Sequence, residues 1–268
     1  MFKYSLILLS LNLFSQNYQI GPNWSREEAF NFPQYFKIRE SIASVGYSAT
    51  GFYIGSIQGK HYVVTNNHVC PSTLKCSGRT LEFFYKKNRK HKPVQAKIVQ
   101  VSLNILKLDL SLLEIEFQNV FQNGDLPFAL QFEKRPPPEG LHLLTMGYGM
   151  HHNEYGTLTL DHSNECKVFS KNGDLRMIKD PDTENPLNYR VFSFLMSCDA
   201  SHGDSGSPVL DKRTGKVIGL LWTGKVPKLK RTSSNQYLTL PYELKWQEFN
   251  FASPSFEIVK ALKKYFQQ

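Results

Sequence analysis

The sequence predicts an all-β protein built as two packed units, with one helix at its carboxyl end. Three observations carry this. Short β-rich segments recur along the chain with turn residues between them. A polar break from Glu133 to Gly140, holding Pro136, Pro137 and Pro138, interrupts them near the middle. Consecutive prolines cannot donate to a sheet ladder, so this stretch reads as a linker. The last stretch, Ser255 to Phe266, sets Phe256, Val259, Leu262 and Phe266 at helical spacing. A chain of 268 residues is long enough for one large core or two smaller ones.

Taken in order, Ala49 to Ile57 and His61 to Thr65 read as strands that turn through Gln58-Gly59-Lys60. Leu81 to Tyr85, Val94 to Val101 and Leu110 to Phe117 complete the first unit. After the break come Leu141 to Met146, Thr157 to Leu160, Cys166 to Phe169, Val191 to Phe194, Pro208 to Leu210 and Val217 to Trp222. The expected division is a leader over residues 1–15, an N-terminal segment over 16–40, a first β unit over 41–130, the linker over 131–140, a second β unit over 141–250 and a helical end over 251–268.

The leader rests on Lys3, the apolar run from Tyr4 to Phe14, and Ser15 before polar Gln16-Asn17. A positive start, a short apolar run and a small residue form a secretory signal, cut here after Ser15. The run is too short to span a bilayer, and the competing reading is a buried strand or short anchor. The mature protein is therefore expected to be secreted or periplasmic, with no stable membrane anchor. The formal charge of +9 comes from scattered residues. Its densest runs, Lys86 to Lys92 and Lys225 to Arg231, read as solvated loops rather than a nucleic-acid surface. The four cysteines, Cys70, Cys76, Cys166 and Cys198, suggest two disulfides in an exported chain, with three pairings open. No C-x-x-C occurs and no histidine stands at ligand spacing from them, so no metal or organic cofactor is expected.

The chemistry centres on Gly203-Asp204-Ser205-Gly206-Ser207-Pro208. Glycines on both sides of Ser205 allow a tight turn that presents its hydroxyl. The amides of Gly203 and Ser205 can then converge on one point, as acyl transfer requires of an oxyanion site. A serine hydroxyl needs a base. His68 closes the apolar segment Val63-Val64-Thr65-Asn66-Asn67-His68, and none of the seven other histidines lies in such a constellation. The base needs an orienting carboxylate. Asp109, within Leu108-Asp109-Leu110, is costly in an apolar strand unless paired. A turn cap is the plainer reading of Asp109, and Asp125 in a loop is its rival.

These segments, in the order His68, Asp109, Ser205, resemble those of the chymotrypsin-like serine peptidases. The bacterial trypsin-like and V8-like branches, with Asn-His-Val and Ser-Gly-Ser-Pro, are the most similar. The resemblance covers roughly Ser48 to Gly224. It implies two six-stranded antiparallel β-barrels with the active site between them, His68 and Asp109 from the first and Ser205 from the second. Animal members pair the aspartate before the serine with a freed N-terminus. Here the only such terminus, Ile20-Gly21, lacks the usual continuation, so an internal partner for Asp204 is expected. With the barrels in place, Cys70 pairs with Cys76 around the loop beside His68, and Cys166 with Cys198 inside the second barrel.

The same resemblance implies protein or peptide substrates. Asp199, six residues before Ser205, matches the floor of the primary pocket in members that prefer Lys or Arg; a structural role is equally open. Trp222, Thr223 and Gly224 are expected to pair with substrate backbone. His202 stands beside the oxyanion loop, with substrate contact and solvent exposure both open. The leading function is a secreted serine endopeptidase working through an acyl-enzyme. The alternatives are a catalytically silent binding protein and an esterase on the same triad.

Overall fold

The first unit's strands close on themselves, which leaves no sheet edge unpaired. In the computed structural model they are β3 (Ile42–Val45), β4 (Ala49–Ile57), β5 (Lys60–Asn66), β6 (Thr80–Phe83), β7 (Val94–Ile105) and β8 (Leu110–Phe117), preceded by β1 (Asn17–Tyr18) and β2 (Glu27–Glu28). They form a closed antiparallel barrel in the order β3-β4-β5-β8-β7-β6. The structure describes residues 17–18, 26–83, 93–120, 124–150, 156–171, 174–181, 186–224, 230–231, 237–238 and 249–267. The expected leader and the basic run from Lys86 to Lys92 lie outside them.

The hairpin between β4 and β5 turns on Gln58 and Gly59, both at positive φ (52° and 79°), which suits a two-residue turn to the strands' twist. Val63 points into the barrel with Tyr53, Leu81, Phe83 and Leu113. Its neighbour Val64 faces the second unit with Phe52, Leu110, Leu112, Leu144, Met146 and Tyr148. Burial on both sides is why β5 reads as an unbroken apolar run. The long β7 bends through register shifts between Ile98 and Gln100 and between Val101 and Leu103. A short helix, α1 (Phe36–Ser41), precedes the barrel, and α2 (Thr73–Cys76) lies between β5 and β6.

The proline-rich connection is pinned rather than loose. Leu130 N–H donates to Tyr53 O (3.0 Å) in the barrel, and Glu133 N–H to Val217 O (2.8 Å) in the second unit. The second unit's strands are β9 (Leu143–Gly147), β10 (Thr159–Asp161), β11 (Arg176–Lys179), β12 (Arg190–Met196), β13 (Ala200–Ser201), β14 (Pro208–Asp211), β15 (Val217–Thr223), the small pair β16 (Lys230–Arg231) and β17 (Tyr237–Leu238), and β18 (Asn250–Pro254). Where a second barrel is expected, seven of these strands and β2 form one eight-stranded sheet, β11-β12-β18-β15-β14-β9-β10-β2. Its outermost member, β2, comes from the N-terminal segment and pairs with β10. The segment's first residues, Asn17 and Tyr18, pair with Ser201 and Ala200.

One strand reading shifts. Cys166 to Phe169 makes only isolated bridges, at Lys167 with His142 and Val168 with Met196. The terminal helix, α3 (Ser255–Phe266), forms where expected; of its expected stripe Leu262 is buried and Phe266 packs on the core, but Ile258 is buried where Phe256 and Val259 are expected to be. Phe256 instead lies under the Lys260 ammonium, 5.0 Å from its ring centre. Both disulfides pair as expected, Cys70 with Cys76 and Cys166 with Cys198. Among the described residues no helix is long and apolar enough to cross a membrane.

Candidate active site

Ser205 sits in the turn between β13 and β14. Gly203 (φ 96°) and Gly206 (φ 89°) hold backbone angles that L side chains rarely adopt. A Cβ on Gly206 would also stand 1.9 Å from Thr50 O, so the barrel's own backbone excludes any side chain there. Thr50 clamps the turn from that side. Its N–H donates to Ser205 O (2.9 Å) and its Oγ1 to Gly203 O (2.8 Å). The amides of Asp204, Gly206 and Ser207 donate to Ser201, Leu221 and Asp204 carbonyls. The amides of Gly203 and Ser205 have no acceptor among the described residues. Buried donors are normally satisfied, so this pair is suited to an incoming oxyanion.

His68 follows the end of β5, where Cys70 N–H closes a turn onto Asn66 O (3.1 Å) and the Cys70–Cys76 bond holds the next loop. Asp109 stands between the helical turn at Leu106–Leu108 and β8, in the left-handed conformation (φ 45°, ψ 46°) that aspartate tolerates better than most residues. It is thus both a turn residue and a buried carboxylate, at 0% exposure. Its Oδ2 accepts from His68 Nδ1 at 2.6 Å, and its Oδ1 from the His68 amide at 3.0 Å. With Nδ1–H committed to the carboxylate, the neutral ring keeps its lone pair on Nε2.

Burial opposes charge on His68. The Asp109 charge and hydrogen bond, with a smaller push from Asp180, together outweigh it and hold the imidazole pKa above its ordinary 6.5. A base must be neutral to accept a proton. The acid limb of kcat/KM is therefore expected above pH 6.5, activity falling as pH drops through it. A pH–rate profile checks this, and a flat rate down to about pH 5 excludes a histidine base. For folding the sign reverses: the stability gained by protonated His68 is full in acid and fades as pH rises through its folded pKa.

His68 and Ser205 line one cleft of about 200 Å³ together with Asp180, Leu187, Ala200, Ser201, His202, Trp222, Thr223 and Gly224. All three residues expected along the substrate edge are there. On the β14 side, strand pairing of β15 ends at Leu220, with Leu221 held by Gly206 and Ser207, so Trp222 to Gly224 run on beside the cleft. Asp199 is buried at 1% exposure and is not among the lining residues. Its N–H donates to Asp161 Oδ2 (2.7 Å) and its carbonyl accepts from Arg26 (3.1 Å).

Arg26 is the internal partner of Asp204. Its Nη2 meets Asp204 Oδ1 at 2.8 Å, with both side chains buried. The other guanidinium contacts are Nε to Thr159 Oγ1 (2.9 Å), Nη1 to Asp199 O (3.1 Å) and Thr145 Oγ1 (3.4 Å), and Nη2 to Thr159 O (3.1 Å). A guanidinium has five N–H groups, and all five are used. Asp204 also accepts from Ser201 N (2.8 Å), Ser201 Oγ (3.1 Å) and Gly149 N (3.2 Å).

Three residues of the site escape sequence reasoning. Arg26 lies in an N-terminal stretch with no pattern. Asp180, before Pro181, carries no motif; in the cleft it accepts from Thr223 Oγ1 (2.7 Å) and Leu187 N (3.0 Å). Tyr189 carries no motif either; its hydroxyl reaches Asp109 Oδ1 at 2.8 Å.

A family model described as a trypsin-like peptidase domain matches residues 49–220. Comparison with curated proteins finds no match. Among solved structures, the chain resembles Rv3671c from M. tuberculosis H37Rv in the inactive form of a serine-to-alanine mutant. That match has TM-score 0.52 and 20% identity, over 93% of this chain and 98% of that one. Deg5 matches with TM-score 0.52 and 16% identity, over 88% and 93%. The active form of the Rv3671c protease matches with TM-score 0.50 and 20% identity, over 92% and 90%. At these identities the likeness to the solved structures establishes a shared fold.

Proposed function

This chain belongs to the trypsin-like peptidase family and is a serine endopeptidase, and we propose that it is exported and works through Ser205, His68 and Asp109. The observation that carries the triad is the 2.6 Å His68–Asp109 contact in a cleft that also presents Ser205. In this reading His68 takes the Ser205 proton as the hydroxyl attacks the scissile carbonyl, and later returns it to the leaving amine. Asp109 holds the tautomer and stabilises the imidazolium. The Gly203 and Ser205 amides receive the oxyanion. The strand edge at Trp222 to Gly224 takes substrate backbone, which favours extended peptides over small esters. Export rests on the apolar leader and is consistent with two disulfides, which persist in oxidising compartments.

We assign a Lys or Arg preference to Asp199, the residue before Ala200, which lines the cleft. A buried carboxylate favours a cationic side chain that brings it a charge-assisted hydrogen bond. A peptide-library cleavage profile of the mature protein tests function and preference together. The expected result is cutting after Lys and Arg, with the Arg-to-Leu ratio collapsing in Asp199→Ser. A ratio that survives the substitution makes Asp199 structural, and no peptide cleavage at any site overturns the endopeptidase reading.

A further inference from the structure

Asp109 has a third donor, and it comes from the opposite unit. Tyr189 Oη lies 2.8 Å from Asp109 Oδ1 and 3.2 Å from Asn67 Oδ1. A phenol has one proton, and the charged acceptor at the shorter distance takes it. His68 and Asp109 belong to the closed barrel. Tyr189 stands just before β12, a strand of the eight-stranded sheet. We propose that Tyr189 is a positioning residue that locks the Asp109 carboxylate across the boundary between the two units and so sets how strongly it holds the His68 imidazole. The inference rests on the triad reading above.

The geometry explains why a hydroxyl is needed there. A carboxylate can rotate about its Cβ–Cγ bond, and each rotation moves Oδ2 off the imidazole axis. Two donors converge on Oδ1, the His68 amide at 3.0 Å and Tyr189 at 2.8 Å, and leave Oδ2 to His68 Nδ1 at 2.6 Å. The His68 amide and ring belong to the same residue, so they cannot register the barrel against the other unit; Tyr189 can. Its ring packs with Val191, Leu195, Trp222 and Phe251, which fixes the hydroxyl from behind. Its segment is tied to the substrate edge as well, since Asp180 accepts from Leu187 N (3.0 Å) and from Thr223 Oγ1 (2.7 Å). A continuous run of contacts thus leads from the cleft's edge strand to the triad carboxylate. Burial, and then the Asp109 charge, push the Tyr189 pKa up, so the hydroxyl stays a donor wherever His68 titrates.

The test is Tyr189→Phe in the full chain, with kcat and KM followed across pH on one peptide substrate. Phenylalanine keeps the ring packing and removes only the donor. The titratable groups around His68 are Asp109, Asp180 and Tyr189, with His202 and Asp204 lining the same cleft; only Tyr189 changes. Without its donor, Asp109 is more negative and favours the imidazolium, so the acid limb moves to higher pH, by about half a unit. Loss of orientation lowers kcat about tenfold and leaves KM unchanged, a loss in the range of a hydrogen bond to a charged group. The downfield proton resonance of His68 Nδ1–H is expected to shift with it. Incorporation of 3-fluorotyrosine at 189, a stronger donor of nearly the same shape, moves the acid limb the other way and serves if Tyr189→Phe fails to fold. A merely structural tyrosine would lower thermal stability but leave the limb and resonance in place, and that result overturns the proposal. Loss of Ser205 dependence in the parent protein would instead overturn the triad reading, so the two failures are distinct.

Discussion

Ser205→Ala is expected to lower turnover by about a millionfold while leaving the fold intact. The size of the loss follows from what remains. Without the hydroxyl no acyl-enzyme forms, and His68 has no bound proton donor to activate. The oxyanion amides and the substrate edge survive, so a residual rate above uncatalysed hydrolysis persists. The fold is spared because the turn is held by its backbone. Thr50 N–H grips the Ser205 carbonyl, and Gly206 and Ser207 close their own hydrogen bonds. Stopped assays on a peptide substrate, thermal unfolding and labelling by a fluorophosphonate probe check this together. The parent takes one label, on Ser205, and the variant takes none at that turn. Near-normal turnover in a folded Ser205→Ala protein would remove Ser205 from the mechanism.

What the sequence makes legible is what short-range chemistry writes into adjacent residues. The Gly203 to Pro208 hexapeptide announces its turn because two positive-φ positions need glycine. Strands β4 and β8 fall where alternation and turn residues place them, Ala49–Ile57 and Leu110–Phe117. Asp109 is visible because a carboxylate among leucines demands a partner. Tyr189 and Arg26 are invisible for the opposite reason. Their partners are 80 and 178 residues away, and a tyrosine or arginine is ordinary wherever it occurs. The second unit is blurred by the same cause. Its outer strand β2 is two residues of the N-terminal segment, too short to carry any period. Within α3 the spacing identifies Leu262 but not Ile258, because the side that faces inward is set by the strands the helix packs on and not by the helix alone.

Arg26→Met is expected to disable the enzyme more than it unfolds it. Arg26 is 3% exposed, and its guanidinium neutralises Asp204, the residue between Gly203 and Ser205. Removing one partner of a buried ion pair strands the other charge, at about 3–5 kcal/mol. Asp204 keeps Ser201 N, Ser201 Oγ and Gly149 N as donors but has no cation. The simplest relief is for its carboxylate to swing toward solvent, and the turn that carries the Gly203 and Ser205 amides moves with it. Loss of a correctly placed oxyanion donor lowers kcat by about a hundredfold to a thousandfold. The same substitution removes the Arg26 hydrogen bonds to Asp199 O and Thr159 O as well. Arg26→Lys is expected to fall between, because an ammonium keeps the charge but has three donors where the site uses five. The decisive comparison is the double variant with Asp204→Asn, which removes both charges at once. If the pair acts as a unit, the double variant's unfolding free energy and kcat lie well above the values that the two single losses, added together, would give. Additive losses, or an Arg26→Met protein that melts earlier yet turns over normally, would make Arg26 a fold-stabilising residue with no hold on the oxyanion turn.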